Sequence, residues 1–205
     1  MKATKTTNSL NRRVQFLEKL FRNVNGHSLS NEFQSQNTGH GSLTYGEVKY
    51  LEFAKILKKC QAGPGKVFYD LGSGTGKSCF VASLLFNVDK AVGVELVPGL
   101  SNAASQVKNS MSENLAKYKE KMHFINSDFT KIDVTDADII FVNSTCMDQH
   151  LMDHVVEQSK KLKKGSYIVC LTKSLNSNHL ELIFENSNVQ FSWGAPTTRI
   201  YRKVT

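Results

Sequence analysis

The chain has 205 residues, 40% of them apolar, enough for one domain with a single sizeable core. Its 26 Lys and Arg outnumber 18 Asp and Glu, for a formal charge of +8: residues 1–60 hold ten bases and four acids, 61–142 eight and nine, and 143–205 eight and five. No apolar run is long enough to span a membrane, no secretory signal opens the chain, and Cys60, Cys79, Cys146 and Cys170 lie too far apart for a C-x-x-C zinc site or a disulfide framework, so an intracellular compartment, nucleus or cytoplasm, is expected.

Residues 1–9 are polar and basic and read as a frayed end. From Arg12 to Val24, apolar residues Val14, Leu17, Leu20, Phe21 and Val24 recur every three or four positions, which predicts an amphipathic helix. Asn25 to Thr44 has a helix-breaking composition and reads as a loop of about twenty residues, a length that compact domains keep for function. A second amphipathic helix is expected from Glu47 to Cys60, broken by the Gly and Pro of residues 61–66.

Strand, turn and helix then alternate. Val67–Leu71 reads as a buried strand, Ser78–Phe86 as a buried helix and Ala91–Glu95 as the next strand, with Pro98 suited to a helix start. Residues 99–121 read as helix, His123–Asn126 and Asp138–Val142 as strands, Asp148–Leu162 as helix and Tyr167–Thr172 as strand. This rhythm predicts an α/β fold built on a doubly wound, mostly parallel sheet. Val189–Trp193 and Arg199–Val204, separated by a turn at Gly194–Pro196, read as a C-terminal antiparallel hairpin closing one sheet edge.

The most informative stretch runs from Asp70 to Ser78, with Gly72, Ser73, Gly74 and Gly76 directly after a strand. Gly-Lys-Ser at 76–78 imitates a nucleoside-triphosphate loop, but the G-x-x-x-x-G-K-S/T spacing requires glycine where Leu71 stands. A dinucleotide fingerprint starting at Gly72 would end on a glycine where Lys77 stands. The spacing that fits is an acidic residue followed by G-x-G-x-G, which implies S-adenosylmethionine. Glu95 ends the next strand, nineteen residues beyond Gly76, where a carboxylate can accept from both ribose hydroxyls. Asp70 is placed for the amino-acid end of that cofactor, Asp128 for the adenine amino group, and Phe129 to cover the adenine ring. Together the strand ends imply a methyltransferase and its Rossmann-like seven-stranded sheet, preceded here by N-terminal helices.

The fourth predicted strand leads into Asn143 with no proline nearby, which disfavours the amino-methylases that carry Asn/Asp-Pro-Pro-aromatic at this place. No acidic cluster for magnesium and no cysteine motif for cytosine chemistry stands out; Cys146 reads as a buried or half-buried thiol, and no metal is expected. The residues resemble the disruptor-of-telomeric-silencing (DOT) histone-lysine methyltransferases. Carrying the resemblance are Tyr45-Gly46-Glu47 ahead of a helix, the glycine loop from Asp70 to Gly76, Gly93-Val94-Glu95, Asp128-Phe129, Ile140 to Asn143 and Lys164-Gly165. It covers roughly residues 40–175, with a looser echo at Phe191–Pro196.

The resemblance implies that Tyr45 and Glu47 lie over the cofactor, and that Asn143 sits beside the transferred methyl and a lysine channel. Tyr45 and Asn143 are thus the expected catalytic residues. Ser144, Thr145, Cys146 and Met147 depart from the family's second asparagine and aromatic residues, and Arg199 and Ile200 fall near its tyrosine pair. The expected activity is protein-lysine N-methylation of a histone or another basic protein. A non-histone substrate, such as a translation or mitochondrial factor, and a non-catalytic cofactor-fold module are the alternatives. The expected organisation is a helical extension and cofactor-covering loop (1–60) before a methyltransferase domain (61–205), monomeric, with nucleic-acid contact open to its basic flanks. The lysines at 160, 161, 163 and 164 read as a solvated helix end.

Overall fold

The computed structural model describes residues 2–37 and 45–205. Two helices, α1 (Lys2–Leu20) and α2 (Gly26–Gln36), precede α3 (Tyr50–Lys59). The core then follows as β1 (Val67–Leu71), α4 (Lys77–Phe86), β2 (Lys90–Glu95), α5 (Pro98–Ser110), the single turn α6 (Ala116–Lys119) and β3 (Met122–Asn126). β4 (Ile139–Val142), α7 (Gln149–Lys160), β5 (Tyr167–Leu171), β6 (Leu180–Asn186) and β7 (Thr198–Lys203) complete it. The strands form one seven-stranded sheet in the order β3-β2-β1-β4-β5-β7-β6, parallel from β3 to β5 and antiparallel at β7 and β6. This is the α/β sheet that the alternating rhythm predicts, closed at one edge by an antiparallel pair of C-terminal strands.

Alternate residues of each strand feed opposite faces of the sheet. On one face, Phe68, Phe141 and Val169 pack with Leu17 of α1, Phe21 in the turn that follows it, Phe53 and Leu57 of α3 and Phe80 of α4. On the other, Leu71, Val92, Ile140 and Ile168 pack with Met152 and Val155 of α7. Arg13 Nη1 also donates to the carbonyl of Leu84 at 2.7 Å, tying α1 to α4. Helix ends follow local chemistry: the Asp148 carboxylate accepts from the Leu151 amide at 2.9 Å to start α7, and Pro98 opens α5.

Four expectations need correction. Residues 26–36 are helix, not loop: the Asn25 side chain accepts from the Ser28 amide at 3.0 Å and starts α2, while Gly26 and Ser30 are buried. A helix packed through small and polar residues carries no apolar stripe to read. The remainder of that stretch, residues 38–44, lies outside the described residues. At the N-terminus, α1 starts at Lys2 rather than near Arg12. The helix after Pro98 ends at Ser110, followed by a 3₁₀ turn and α6.

The fourth correction concerns the partner of β7, which is Leu180–Asn186 rather than Val189–Trp193. β6 is an edge strand with a register shift between Leu182 and Phe184, and it leaves Leu182 and Ile183 exposed, so it shows no clean alternation. Val189–Trp193 is instead a connecting segment, whose Phe191 bridges to Val48.

Candidate active site

The site stands on the C-terminal edge of the parallel strands. The chain leaves β1 for β2 on one side and returns at β4 on the other, so a crevice opens where β1 and β4 lie side by side. The glycine loop follows β1 into this crevice, and Asn143 follows β4.

Asp70, near the end of β1, is only 2% exposed. Ser78 donates to its Oδ2, but Oδ1 is buried with no partner, as is Ser73 Oγ. Burial pushes the Asp70 carboxyl well above the usual carboxylate range; Ser78 opposes this and Glu95 adds to it. Buried polar atoms are nearly always satisfied, so these orphans, one near the end of β1 and one on the loop after it, are free to meet a polar ligand. S-adenosylmethionine fits them: its ammonium suits Asp70 Oδ1, and its carboxylate suits a hydroxyl donor such as Ser73.

Glu95, at the end of β2, is tied to the same loop. Its Oε2 accepts from the Gly74 amide at 2.7 Å and its Oε1 from the Val97 amide at 2.9 Å. Burial raises its pKa against the pull of the Val97, Gly74 and Leu96 amides. Each oxygen keeps a lone pair for a ribose hydroxyl. Asn126 steadies this strand end by donating to the carbonyls of Glu95 at 2.8 Å and Leu96 at 3.0 Å.

Tyr45-Gly46-Glu47 closes the crevice from the N-terminal side. The Tyr45 hydroxyl donates to Glu47 Oε1 at 2.7 Å and lies 3.0 Å from Thr75 Oγ1. Burial, with the Glu47 carboxylate beside it, drives the Tyr45 phenol far above its ordinary pKa, so it is a neutral donor. Its ring rests on Gly74, where a Cβ would come within 2.7 Å of Cε2 and where φ is +54°, so glycine is needed twice over. The His27 ring of α2 meets Tyr45 edge-on at 5.1 Å. Glu47 is also ion-paired to Lys77 at the start of α4, and a Cβ on Gly46 would run into the Trp193 ring.

The structure thus brings Tyr45, Glu47, Asp70, Gly72, Ser73 and Asn143 into one cleft, with Glu95 beneath Gly74. Asp128 and Phe129 follow β3 on the same sheet edge but do not line that cleft. The Asp128 carboxylate accepts from the Thr130 amide at 2.9 Å. Burial raises its pKa, but the Thr130 bonds outweigh that and hold it below the ordinary value. Phe129 is half-buried, 6.2 Å from the His154 ring.

Thr75, Lys77 and Trp193 also line the cleft, and none of them stood out as a site residue in the sequence. Lys77 had a signal, a cation directly after the glycine loop, but its carboxylate partner lies thirty positions upstream. Cys146 needs a correction: it is exposed, at the mouth with Asn143, Tyr45 and Trp193, whereas Cys60, Cys79 and Cys170 are buried. The 3₁₀ turn from Ser144 to Cys146 turns that thiol outward. Of the C-terminal lysine cluster, Lys160 pairs with Glu157 at 2.5 Å and Lys163 lies 3.8 Å from Asp138. Among the described residues no group of three His, Cys, Asp or Glu is placed to hold a metal ion, and no helix is long and apolar enough to cross a membrane.

Sheet order, glycine loop and strand-end carboxylates together define a class I, Rossmann-like methyltransferase fold. Solved structures agree: an RNA methyltransferase from Salinibacter ruber in complex with S-adenosyl-L-homocysteine has a TM-score of 0.59 at 17% identity, over 74% of this chain and 90% of that one. A putative methylase from Haemophilus influenzae also has a TM-score of 0.59 at 17% identity, over 76% and 89%. The family described as histone methylation protein DOT1 matches residues 28–194, and the chain belongs to that family. Its relatives include histone-lysine N-methyltransferases described as H3 lysine-79 specific, from Caenorhabditis elegans (30% identical over 72% of this chain) and Kluyveromyces lactis (27% over 75%). The chain spans 16% and 29% of the length of those two relatives.

Proposed function

We propose that this chain is an S-adenosylmethionine-dependent protein-lysine N-methyltransferase that acts on a histone, in the nucleus. The observation that supports the reading is the orphaned Asp70 Oδ1 in the same cleft as Asn143, the residue that follows β4. Asp70 and Ser73 hold the amino-acid end, Glu95 the ribose, and Asp128 with Phe129 the adenine. When bound, the cofactor supplies a methyl group on a sulfonium that needs no further activation.

The chain's own residues orient and desolvate. Transfer to an amine is an in-line displacement, so most of the catalysis is alignment. The target lysine must arrive neutral, and a narrow mouth walled by Trp193 and Tyr45 lowers its pKa by stripping water from the ammonium. Asn143 Oδ1 accepts a hydrogen bond from the amine and aims its lone pair. Tyr45 and Glu47 close the cleft, and the basic residues of 1–60 form the side that meets an acidic nucleosome surface, with the chain acting as a monomer.

Tritiated-cofactor labelling of nucleosomes, free histones and a whole-cell lysate tests this. Label on nucleosomal histone is the expected result. Label on an unrelated protein instead would move the substrate, and tight cofactor binding with no label anywhere would overturn the enzymatic reading.

A further inference from the structure

Asn143 is not left to itself at the end of β4. The Thr145 hydroxyl donates to Asn143 Oδ1 at 2.9 Å, and the Thr145 and Thr172 hydroxyls lie 3.0 Å apart. A hydroxyl carries one proton, and that of Thr145 is on Asn143, so Thr172 is the donor in the second bond. The direction of the series is therefore Thr172 to Thr145 to Asn143.

Thr172 holds an uncommon backbone position. It follows β5 with φ of +68°, the left-handed region that a β-branched residue rarely occupies. Its surroundings over-determine that conformation. The Thr172 amide donates to the Thr197 carbonyl at 2.8 Å, and the Thr172 carbonyl accepts from Arg199 Nη1 at 2.8 Å. Arg199 is itself anchored, its Nε paired with Glu185 of β6 at 2.6 Å. Strain maintained in this way clusters where geometry serves a site.

We propose that Thr145 and Thr172, braced by Arg199 and Glu185, are positioning residues that lock the Asn143 amide with its oxygen oriented for the incoming amine. This rests on the reading of Asn143 as the group that aligns that amine. One lone pair of Oδ1 takes the Thr145 proton, which fixes the carbonyl end of the amide; the other lone pair is left for an amine N–H. Without the Thr145 proton the half-buried Asn143 side chain turns about its χ angles, and alignment is lost while the cofactor subsite at Asp70 and Glu95 is untouched. The C-terminal strands therefore reach the methyl-transfer site without lining it, through Arg199 and the strained Thr172.

Thr145→Val, Thr145→Ser, Thr172→Gly and Asn143→Ala test this through turnover on nucleosomes, cofactor affinity, thermal melting and the ¹⁵N NMR signal of the Asn143 side-chain amide, assigned by its loss in Asn143→Ala. Thr145→Val is expected to lower kcat about ten-fold or more with cofactor affinity within about two-fold, and Thr145→Ser to restore most of it. Thr172→Gly relieves the left-handed strain, so it should melt no lower than wild type yet turn over more slowly. In Thr145→Val the two Asn143 side-chain amide proton signals, still distinct because the C–N bond rotates slowly, should move toward their random-coil positions. Wild-type turnover in Thr145→Val, equal loss in Thr145→Ser, or an unchanged amide signal overturns the proposal. If Asn143→Ala alone keeps full turnover, the reading of Asn143 fails; if it is inactive while Thr145→Val is active, only the positioning series fails. Should no substrate accept label, the amide signal still decides.

Discussion

Glu47 and Lys77 meet in the cleft beside the glycine loop, ion-paired although thirty residues apart. Lys77 opens α4 directly after the glycine loop, and its ammonium lies 5.4 Å from the Phe21 ring centre and 5.9 Å from that of Tyr50. The pair pins the Tyr45-Gly46-Glu47 segment to the loop it covers, and both side chains are more than four-fifths buried, so water screens it weakly.

Removing one partner strands the other charge. Lys77→Met should therefore cost about 1–3 kcal/mol in urea unfolding, and Glu47→Gln a similar amount. The double variant should lose clearly less than the two single losses combined, because the pair is coupled. Strict additivity would show that the ion pair does not hold the segment.

Gly46→Ala pushes a methyl into the indole of Trp193, the only tryptophan of the chain. Overpacking of this kind costs about 1–3 kcal/mol, and the intrinsic fluorescence of the folded protein should shift as the ring moves. An unchanged emission spectrum with unchanged stability would place the segment elsewhere.

Asp70 gives a pH dependence. Its folded-state pKa is raised, chiefly by burial, so the folded chain holds this proton to higher pH than the unfolded chain does. The associated stability is fully present below the ordinary carboxylate value and is lost as pH rises through the raised one. Asp70→Asn should flatten that fall in melting temperature for the cofactor-free protein while weakening cofactor binding at least about ten-fold, the loss expected when a charged hydrogen bond goes. A pH–melting curve identical to wild type would contradict the burial of this charge.

Native thiol labelling should select Cys146. Burial pushes the Cys60 and Cys170 thiols up to about 12 and Cys79 well above its ordinary value, while Cys146 is exposed. A maleimide should modify one site quickly and slow methyl transfer by crowding the mouth, and Cys146→Ser should be spared. Rapid modification of all four cysteines would mean that the core opens.

Phe191 tests the segment that resembled a strand. It is 2% exposed and bridges to Val48, so Phe191→Ala should cost about 3–5 kcal/mol as a cavity-forming change. A loss below about 1 kcal/mol would show that the bridge to Val48 is peripheral.

What the sequence alone determined here is local and periodic. β1, the start of α5 and most of α7 were readable because apolar runs, a proline and a capping Asp148 act within a few residues of themselves. The glycine loop with Asp70 and Glu95 was readable for the same reason: a backbone that must approach a ligand closely needs glycine at fixed spacing. α2 escaped because it packs through Gly26 and Ser30, and β6 because an edge strand exposes apolar residues that alternation would bury.

Tertiary structure alone decided which distant residues meet. Nothing local to Lys77 names Glu47, nothing near Gly46 names Trp193, and nothing near Asn143 names Thr172. Each pair is set by strand order and by loops folding back over the sheet edge, contacts between positions whose sequence separation carries no period. The excess charge of residues 1–60 is likewise only a composition until α1 and α3 pack against α4, where Arg13 becomes a tie to Leu84 and the segment that follows becomes the wall of the cleft.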